Sequence, residues 1–296
     1  MTGLVTAVHG RSIRLLVEGT EVRAVLTGKA YRGEAPAVGD LAEVRLCPDS
    51  CNSMIEAILP RRNCLKRPFA GGVQIIAANL DLALVLVSVR NPPLRRGFID
   101  RNAASAIHEG IPVALAVNKM DLAGPEDVLA VDDLERDCGA AGIALFRVSC
   151  LSGEGIVELL GALGGRTVVM TGPSGAGKTS MVRALGGPED VRTGDLNAKT
   201  GKGSHTTVAA TLRMLPGGIA LVDTPGLRAF PVDHIPAYEM QLCFPEFAGF
   251  RDSCRFRDCL HHNEPGCSVK EAAASGAVSA ERYASYLQLL AEVSGG

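Results

Sequence analysis

The hydrophobic residues in the first part of the chain form short runs. Up to about residue 60, these runs are interrupted by polar turn sequences such as those at 9–12 and 18–20. Short strands separated by regular turns are typical of small β-barrels. The pattern therefore predicts four or five strands in a barrel, either OB-like or SH3-like. Many OB-like barrels bind oligonucleotides, but Tyr31 is the only aromatic residue before position 60, so a purely structural barrel is the alternative.

From residue 79 onwards, long apolar runs alternate with residues at helical spacing. The run at 79–88 is apolar almost throughout, as expected for a parallel strand covered on both faces, and residues 98–108 have helical periodicity. Further strands are predicted at 111–117, 143–148, 168–171, 208–215 and 219–222, and further helices at 132–139, at 156–163 and from 181. This alternation predicts an α/β fold with a largely parallel sheet.

Two other segments have recognisable features: one is basic, and the other has the pattern of a capped helix. Residues 60–68 are rich in Arg and Lys and predict a basic linker, whose charge serves either solubility or phosphate contact. Near the end of the chain, Ser279 is in the position of an N-cap before a predicted helix at 280–293. Tyrosines and leucines share one face of that helix, so we expect it to pack against the body of the protein.

Composition narrows the class of protein. The chain has 296 residues, which suggests two or three domains, and it is 47% apolar and 21% charged, as in soluble globular proteins. It has no uncharged apolar run of roughly 18 residues and no signal peptide at its start, so we expect a cytoplasmic protein without a membrane partner. The net charge of −2 means that any RNA contact must depend on local patches. Nine cysteines in a reducing compartment favour metal binding or free thiols over disulfides.

A glycine-rich segment follows the predicted strand at 168–171 and precedes a predicted helix. Strand, glycine loop, Gly-Lys-Thr and helix in this order are typical of a phosphate-binding P-loop. Lys178 would contact the β- and γ-phosphates as a catalytic residue, and the Thr179 hydroxyl would bind Mg²⁺. The alternative is a flexible linker with a chance lysine. The predicted phosphate-binding residues are Gly172, Pro173, Ser174, Gly175, Ala176, Gly177, Lys178, Thr179 and Ser180.

The sequence Asn118-Lys119-Met120-Asp121 indicates which nucleotide is bound. It follows the predicted strand at 111–117. A carboxylate at Asp121 can accept from both N–H groups on the Watson–Crick edge of guanine, whereas adenine would leave it unpaired. Asn118 would contact the base and the Lys119 stem would cover its face. A polar loop without function is the alternative, and a P-loop kinase is disfavoured because kinases do not need this sequence.

A second loop would complete the base site. It follows the predicted strand at 143–148 and contains Ser149 and Cys150, of which Cys150 would offer its backbone N–H to guanine O6.

Two segments resemble the switch regions of GTPases. Residues 194–203 are polar and glycine-rich and lead to Thr206 and Thr207, one of which would bind Mg²⁺ when the γ-phosphate is present. We prefer Thr207, but the residues leave the choice open. Asp223, at the end of the strand predicted at 219–222, would hold Mg²⁺ through water, and the Gly226 N–H would contact the γ-phosphate. As a lone tetrapeptide, Asp-Thr-Pro-Gly would equally suit a type II turn.

The sequence lacks the glutamine that positions the attacking water in Ras-like GTPases. Ras-like enzymes use a glutamine after the glycine of the second switch. Leu227 takes that position here and can neither donate nor accept a hydrogen bond, so we expect slow intrinsic turnover. His205, beside the candidate magnesium threonines, is the predicted catalytic residue. The alternative is that His205 is a surface residue.

A cysteine-rich segment lies near the end of the chain. Cys254, Cys259 and Cys267 surround the adjacent histidines His261 and His262. Three thiolates and one imidazole make a closed tetrahedral set for structural zinc. The spacing leaves the choice of histidine open, and free cysteines in a loop are the alternative.

The order of these motifs suggests a family. Both base loops precede the P-loop, which in turn precedes both switches, so the order of an ordinary GTPase is circularly permuted. The chain resembles the RsgA (YjeQ) family of small-subunit-dependent GTPases. The resemblance rests on residues 118–121, 172–180, 203–207, 223–226 and 254–267. It departs at Ser204, where relatives often have Arg, and in a less basic composition than that of many relatives.

The resemblance implies three domains. They are an N-terminal OB-like β-barrel, a central α/β circularly permuted P-loop GTPase and a small, mainly helical zinc-binding domain, at residues 1–65, 66–230 and 231–296. It favours Cys254, Cys259, His261 and Cys267 as ligands of one structural zinc.

The resemblance also implies a function. We expect GTP hydrolysis during late maturation of the 30S subunit, stimulated by that subunit, with Mg²⁺, GTP, GDP and 16S rRNA as ligands and a monomeric chain. The alternative is a GTP-stabilised rRNA-binding module without subunit-timed hydrolysis.

Overall fold

The protein was analysed as a computed structural model that describes residues 1–27, 35–47, 53–69, 72–186, 210–224 and 229–295. The chain folds into two compact units, each made of segments that are distant in sequence. The first unit comprises Met1–Leu82, Leu159–Met170 and Lys178–Leu227. The second comprises Ala83–Glu158, Thr171–Gly177 and Arg228–Gly296.

The first unit begins with a five-stranded barrel. Its strands are β1 (Thr2–His9), β2 (Ser12–Val17), β3 (Thr20–Leu26), β4 (Leu41–Arg45) and β5 (Ser53–Ile58). β1, β2 and β3 form an antiparallel meander, β5 pairs parallel to β3, and β4 pairs with both β5 and β1, which closes the sheet. Alternate residues such as Val5, Ile13 and Leu15 are fully buried inside. The predicted N-terminal barrel is therefore confirmed.

The predicted basic linker is partly a hairpin. β6 (Cys64–Phe69) pairs antiparallel with β7 (Gly72–Ala78). Arg61 lies before it and donates two hydrogen bonds, at 2.6 and 2.8 Å, to the fully buried carboxylate of Asp40. Arg62 donates to Asp81 at 2.8 Å. These two arginines therefore stabilise the unit through ion pairs, which neither interpretation of the linker had included.

The remaining strands of the first unit are β11 (Thr167–Thr171), β12 (Thr211–Leu215) and β13 (Ile219–Asp223). Two of these three strands lie next to predicted site residues: β11 leads into the P-loop, and β13 ends at Asp223. β1 pairs antiparallel with β12, β12 with β13, and β13 runs parallel to β11. The helix α4 (Lys178–Ala184) belongs to the same unit.

The second unit is built on three parallel strands. They are β8 (Leu82–Ser88), β9 (Val113–Asn118) and β10 (Ala144–Arg147), with β9 in the centre. Every residue of β8 is buried, as the continuous apolar run predicted. The helix α1 (Arg96–His108) matches its prediction closely, and α3 spans Ile156–Leu163 as expected.

The helix α2 (Pro125–Ala140) begins earlier than the expected position 132. Proline is favoured in the first turn of a helix, and the Asp127 carboxylate accepts a hydrogen bond from the Gly124 N–H at 2.8 Å. This first turn exposes Val128 and Leu129, so the apolar pattern did not reveal it.

The end of the chain is mainly helical. α5 (Ala248–Arg251), α6 (Ser268–Ser275) and α7 (Ala280–Ser294) follow two short 3₁₀ segments at 237–243 and 245–247. Phe247 and Tyr286 pack edge to face with ring centroids 5.1 Å apart. As predicted, Ser279 caps α7 by accepting from the Arg282 N–H. Among the described residues, no helix has the length and apolar character needed to cross a membrane.

Candidate nucleotide site and metal centre

The predicted P-loop joins the end of β11 to the start of α4. Gly177, the last residue before α4, has φ of 98°, in the left-handed region that favours glycine. A Cβ added there would lie 2.4 Å from Asn118 Nδ2. A side chain at Gly177 is therefore excluded both by the backbone and by its neighbour. Lys178 and Thr179 follow in the first turn of α4.

Asn118 connects the P-loop to the second base loop. Its side chain is 2% exposed and lies at the end of β9. Its Nδ2 donates to the Ala176 carbonyl at 2.9 Å, and its Oδ1 accepts from the Cys150 backbone N–H at 3.1 Å. Both Asn118 and the Cys150 N–H are predicted to contact the base, and these roles stay predictions. In the structure the two groups are bonded to each other, which no sequence spacing indicated.

Lys119 also contacts the P-loop. It has φ of 63°, an uncommon conformation for a residue with a side chain. Its Nζ donates to the Gly175 carbonyl at 2.7 Å and to the Asn91 carbonyl. Both the first and second residues of the base sequence therefore bond to the P-loop backbone. Met120 follows in a 3₁₀ turn and packs on the core of the second unit.

Asp121 is exposed, so its carboxylate is accessible to a ligand. Its Oδ1 accepts a hydrogen bond of 2.5 Å from the Ser149 hydroxyl, and Ser149 is fully buried. The same hydroxyl accepts from the N–H groups of Leu151 and Ser152, which orders the second base loop. Ser149 therefore orients the carboxylate predicted to recognise guanine.

The predicted base and phosphate loops include one thiol. Burial, the largest influence, raises the pKa of the Cys150 thiol to about 11. The thiol is therefore neutral at physiological pH and has little nucleophilic character.

Asp223 is the last residue of β13, whose parallel neighbour β11 leads into the P-loop. Val222 is in register with Val169, so the carboxyl ends of both strands lie at one edge of the sheet. This arrangement is compatible with the predicted magnesium ligands Thr179 and Asp223. His205, Thr206, Thr207, Gly226 and Leu227 lie outside the described residues, so their predicted roles stay predictions.

The four predicted metal ligands lie together. One ligand atom from each of Cys254, Cys259, His261 and Cys267 is within 4.8 Å of all the others. His261 Nδ1 is 3.5 Å from Cys254 Sγ and 3.3 Å from Cys267 Sγ, and these two sulfurs are 3.9 Å apart. His262 is exposed and outside this group. The structure therefore places His261 among the thiols, and the set can hold a metal ion.

Neighbouring residues orient the imidazole. The Gln241 Oε1 lies 2.8 Å from His261 Nε2, which directs Nδ1 towards the sulfurs. The Glu264 carboxylate accepts from the N–H groups of Leu260 and His262, each at 2.9 Å. Neither Gln241 nor Glu264 was predicted from the sequence, because only the folded chain places them beside the ligands.

Metal binding would change the protonation of the cysteine ligands. Burial raises the pKa of the Cys259 thiol to about 12 and lowers the pKa of His261. The imidazole lone pair is therefore available at neutral pH, whereas Cys259 must lose a proton to bind a metal ion, so we expect metal uptake to release protons.

Comparison with known proteins identifies the family. The RsgA GTPase family profile matches residues 58–233, which include both base loops and the P-loop. The chain is 38% identical over 261 residues to the small ribosomal subunit biogenesis GTPase RsgA of Shewanella oneidensis, covering 86% of this chain and 73% of that relative.

Solved structures agree with this match. YjeQ from Thermotoga maritima superposes with a TM-score of 0.83 at 30% identity, covering 100% of this chain and 99% of that one. YloQ, a circularly permuted GTPase, superposes with a TM-score of 0.80 at 21% identity, covering 99% of this chain and 95% of that one, and supports the fold alone. The predicted permuted fold is confirmed. The chain belongs to the RsgA GTPase family and is a GTP-hydrolysing enzyme.

Proposed function

We propose that this GTPase acts in the maturation of the 30S ribosomal subunit and hydrolyses GTP when bound to it. The name of the Shewanella oneidensis relative, a small ribosomal subunit biogenesis GTPase, supports the process. The observation that carries the nucleotide assignment is the contact of Asn118 with both the P-loop and the second base loop. Because one side chain bonds to both loops, phosphate and base recognition are coupled.

The residues of the chain have separate roles in this proposal. Asp121, oriented by Ser149, accepts from guanine. Lys178 contacts the β- and γ-phosphates, and Thr179, Thr207 and Asp223 hold Mg²⁺, the last through water. When bound there, Mg²⁺ would supply positive charge that neutralises the charge developing on the phosphates during hydrolysis.

The 30S subunit completes a catalytic site that the isolated chain leaves incomplete. Leu227 cannot orient water, so we propose that His205 does so once the subunit orders the first switch. The motivating feature is the position of His205 beside the threonines predicted to bind Mg²⁺. His205→Ala should lower 30S-stimulated turnover and leave GTP binding intact. Unchanged stimulated turnover in this variant would rule out His205.

One structural zinc ion completes the proposed cofactors. In a tetrahedral site with Zn–S bonds of roughly 2.3 Å, two sulfurs lie about 3.8 Å apart. The Cys254–Cys267 separation of 3.9 Å supports zinc in the Cys254, Cys259, His261 and Cys267 site. All four positions are filled by protein ligands, so zinc there serves folding and not catalysis.

We propose that the chain has three domains, at residues 1–65, 66–230 and 231–296. We also propose that it acts as a cytoplasmic monomer that contacts 16S rRNA through local basic patches.

A static rRNA-binding module with GTP as a fixed cofactor is the second candidate. The timed GTPase and the static module differ in whether the bound nucleotide controls binding to the 30S subunit. Co-sedimentation with purified 30S subunits tests this, using a non-hydrolysable GTP analogue and GDP at equal concentration. A timed GTPase should sediment with the subunit in the analogue and dissociate in GDP. Equal binding in both nucleotides would favour the static module.

A further inference from the structure

A second group of potential metal ligands lies at the C-terminal end of α1. His108 and Glu109 end that helix, and His234 lies in the segment that follows residue 229. One ligand atom from each of the three residues is within 4.8 Å of the others. Their side chains are largely buried, with exposures of 18% for His108, 5% for Glu109 and 13% for His234.

Carboxylates contact both imidazoles. His108 Nε2 lies 2.9 Å from a Glu239 oxygen, and His234 Nε2 lies 2.9 Å from Glu109 Oε1. At His108, the Glu239 carboxylate favours a proton on Nε2 and leaves a lone pair on Nδ1. Carboxylate–histidine pairs of this kind orient the histidines that bind metals in proteins.

The other ring nitrogens lack partners. Within the described part of the chain, His108 Nδ1 and His234 Nδ1 are buried without a hydrogen bond. Buried polar atoms are nearly always satisfied, so two unpaired nitrogens in adjacent rings need an explanation. The rings contact each other edge to face, with centroids 5.4 Å apart. A cation bound by His108 Nδ1 would satisfy the lone pair of that nitrogen.

The spacing suits a small cation. His108 Nδ1 is 3.9 Å from Glu109 Oε1. Two ligands at roughly 2.0–2.2 Å from one tetrahedral ion lie about 3.4 Å apart, so a shift of about half an ångström would suffice for this pair. His234 Nε2, 2.9 Å from the same oxygen, would need a similar shift and would lose its proton as the ion binds. Two imidazoles and one carboxylate form a ligand set used for zinc and related transition metals.

We propose that His108, Glu109 and His234 bind a divalent transition-metal ion, separate from the Cys254–Cys267 centre. Glu239 acts as the positioning residue for His108. Three protein ligands leave a coordination position for water. The ion would reinforce existing contacts between α1 and the segment after residue 229, where the Phe230 N–H donates to Asn102 at 2.8 Å and Ser105 donates to the Pro231 carbonyl at 2.7 Å.

Metal content of the full chain tests this site independently of GTP hydrolysis. The protein is saturated with Zn²⁺, passed through a desalting column and measured by inductively coupled plasma mass spectrometry. We expect about two ions in the wild type and about one in Glu109→Gln and His234→Ala, which lose a ligand. The exposed His9 provides a matched control, and His9→Ala should keep about two.

Co²⁺ distinguishes the two centres by spectrum. Thiolate charge-transfer bands in the near ultraviolet should report the cysteine centre in every variant and show that it still folds. Weak visible bands without a thiolate contribution should report the second site and disappear in Glu109→Gln. Glu239→Gln keeps all three ligands and should weaken Co²⁺ binding there by roughly 10–100-fold. A wild-type chain that binds only the cysteine-centre ion would overturn the proposal, as would unchanged stoichiometry in both ligand variants.

Discussion

The side-chain amide of Asn118 donates a hydrogen bond of 2.9 Å to the main-chain carbonyl of Ala176. Asn118 belongs to the loop predicted to recognise guanine, and Ala176 belongs to the P-loop. The opposite end of the same amide accepts from the Cys150 N–H. One buried side chain therefore holds the phosphate loop and both base loops in register. It follows that Asn118 acts by positioning loops whether or not it also contacts the base.

Asn118→Ala should weaken GTP binding. The substitution leaves the Ala176 carbonyl and Cys150 N–H without their partner, and an unsatisfied buried group costs about 1–3 kcal/mol, or roughly 5- to 150-fold in affinity. Equilibrium titration with a fluorescent GTP analogue measures the loss. Cys150→Ala is the matched control, because it keeps the backbone N–H and should bind nearly as well as wild type. Equal affinity of Asn118→Ala and wild type would contradict the assigned role.

Arg282→Met should strongly destabilise the second unit. The buried Arg282 guanidinium donates to Glu246 at 2.6 Å and also to Asp100. Burial works against its charge, but the two carboxylates raise its pKa above the usual value. Removing one partner of a buried ion pair costs about 3–5 kcal/mol. Urea unfolding measures this loss of stability.

The ion pair between Arg101 and Glu292 provides a control for that experiment. It also joins α1 to α7, but its side chains are 28% and 36% exposed. Arg101→Met should therefore cost less than about 1 kcal/mol. If both variants lose the same stability, the buried pairs of Arg282 do not have the importance assigned to them.

Glu264→Gln should weaken metal binding at the cysteine centre. Its carboxylate accepts from the N–H groups of Leu260 and His262, which flank the ligand His261. Loss of such support typically costs roughly 10–100-fold in metal affinity. Competition with a coloured zinc chelator measures the affinity. His262→Ala keeps the backbone N–H and should bind as wild type does, whereas a loss in that control would indicate that His262 is the ligand.

Asp81 should contribute stability that depends on pH. Burial opposes its ionisation, but the Thr167 N–H and the Arg62 guanidinium outweigh burial and hold the pKa of the carboxyl below its usual value. A lowered folded pKa means that the contribution is complete above the unfolded value, about 3.9, and is lost as pH falls through the folded value.

Asp81→Asn tests that expectation. The difference in urea midpoint between wild type and this variant should be largest near neutral pH and shrink below about pH 4. A difference that stays constant down to acidic pH would show that the charge of Asp81 does not stabilise the fold.

Local patterns predicted much of this structure. The apolar run at 79–88 led to the buried strand β8, and helical spacing placed α1 and α3 almost to the residue. Apolar periodicity succeeds in these elements because the buried face determines both the sequence and the conformation. The cysteine spacing likewise led to a cluster that the structure brings together.

Features that depend on distant partners were not predictable. The charges of Arg61 and Arg62 suggested a linker, because their partners Asp40 and Asp81 are far away in sequence. The dual role of Asn118 has the same origin, since its two partners meet only in the folded chain. Spacing alone did not distinguish His261 from His262, because the two residues are adjacent; the family resemblance favoured His261, and the structure places His261 among the thiols.

We propose that the 30S subunit completes the active site of this GTPase. GTP turnover by the purified chain tests this, measured without ribosomal subunits, with stoichiometric 30S subunits, and with 50S subunits as a control. We expect slow turnover by the isolated chain, because Leu227 cannot orient water, and a large increase with 30S but not with 50S subunits. Tight GTP binding without any increase on adding 30S subunits would rule out this role of the subunit.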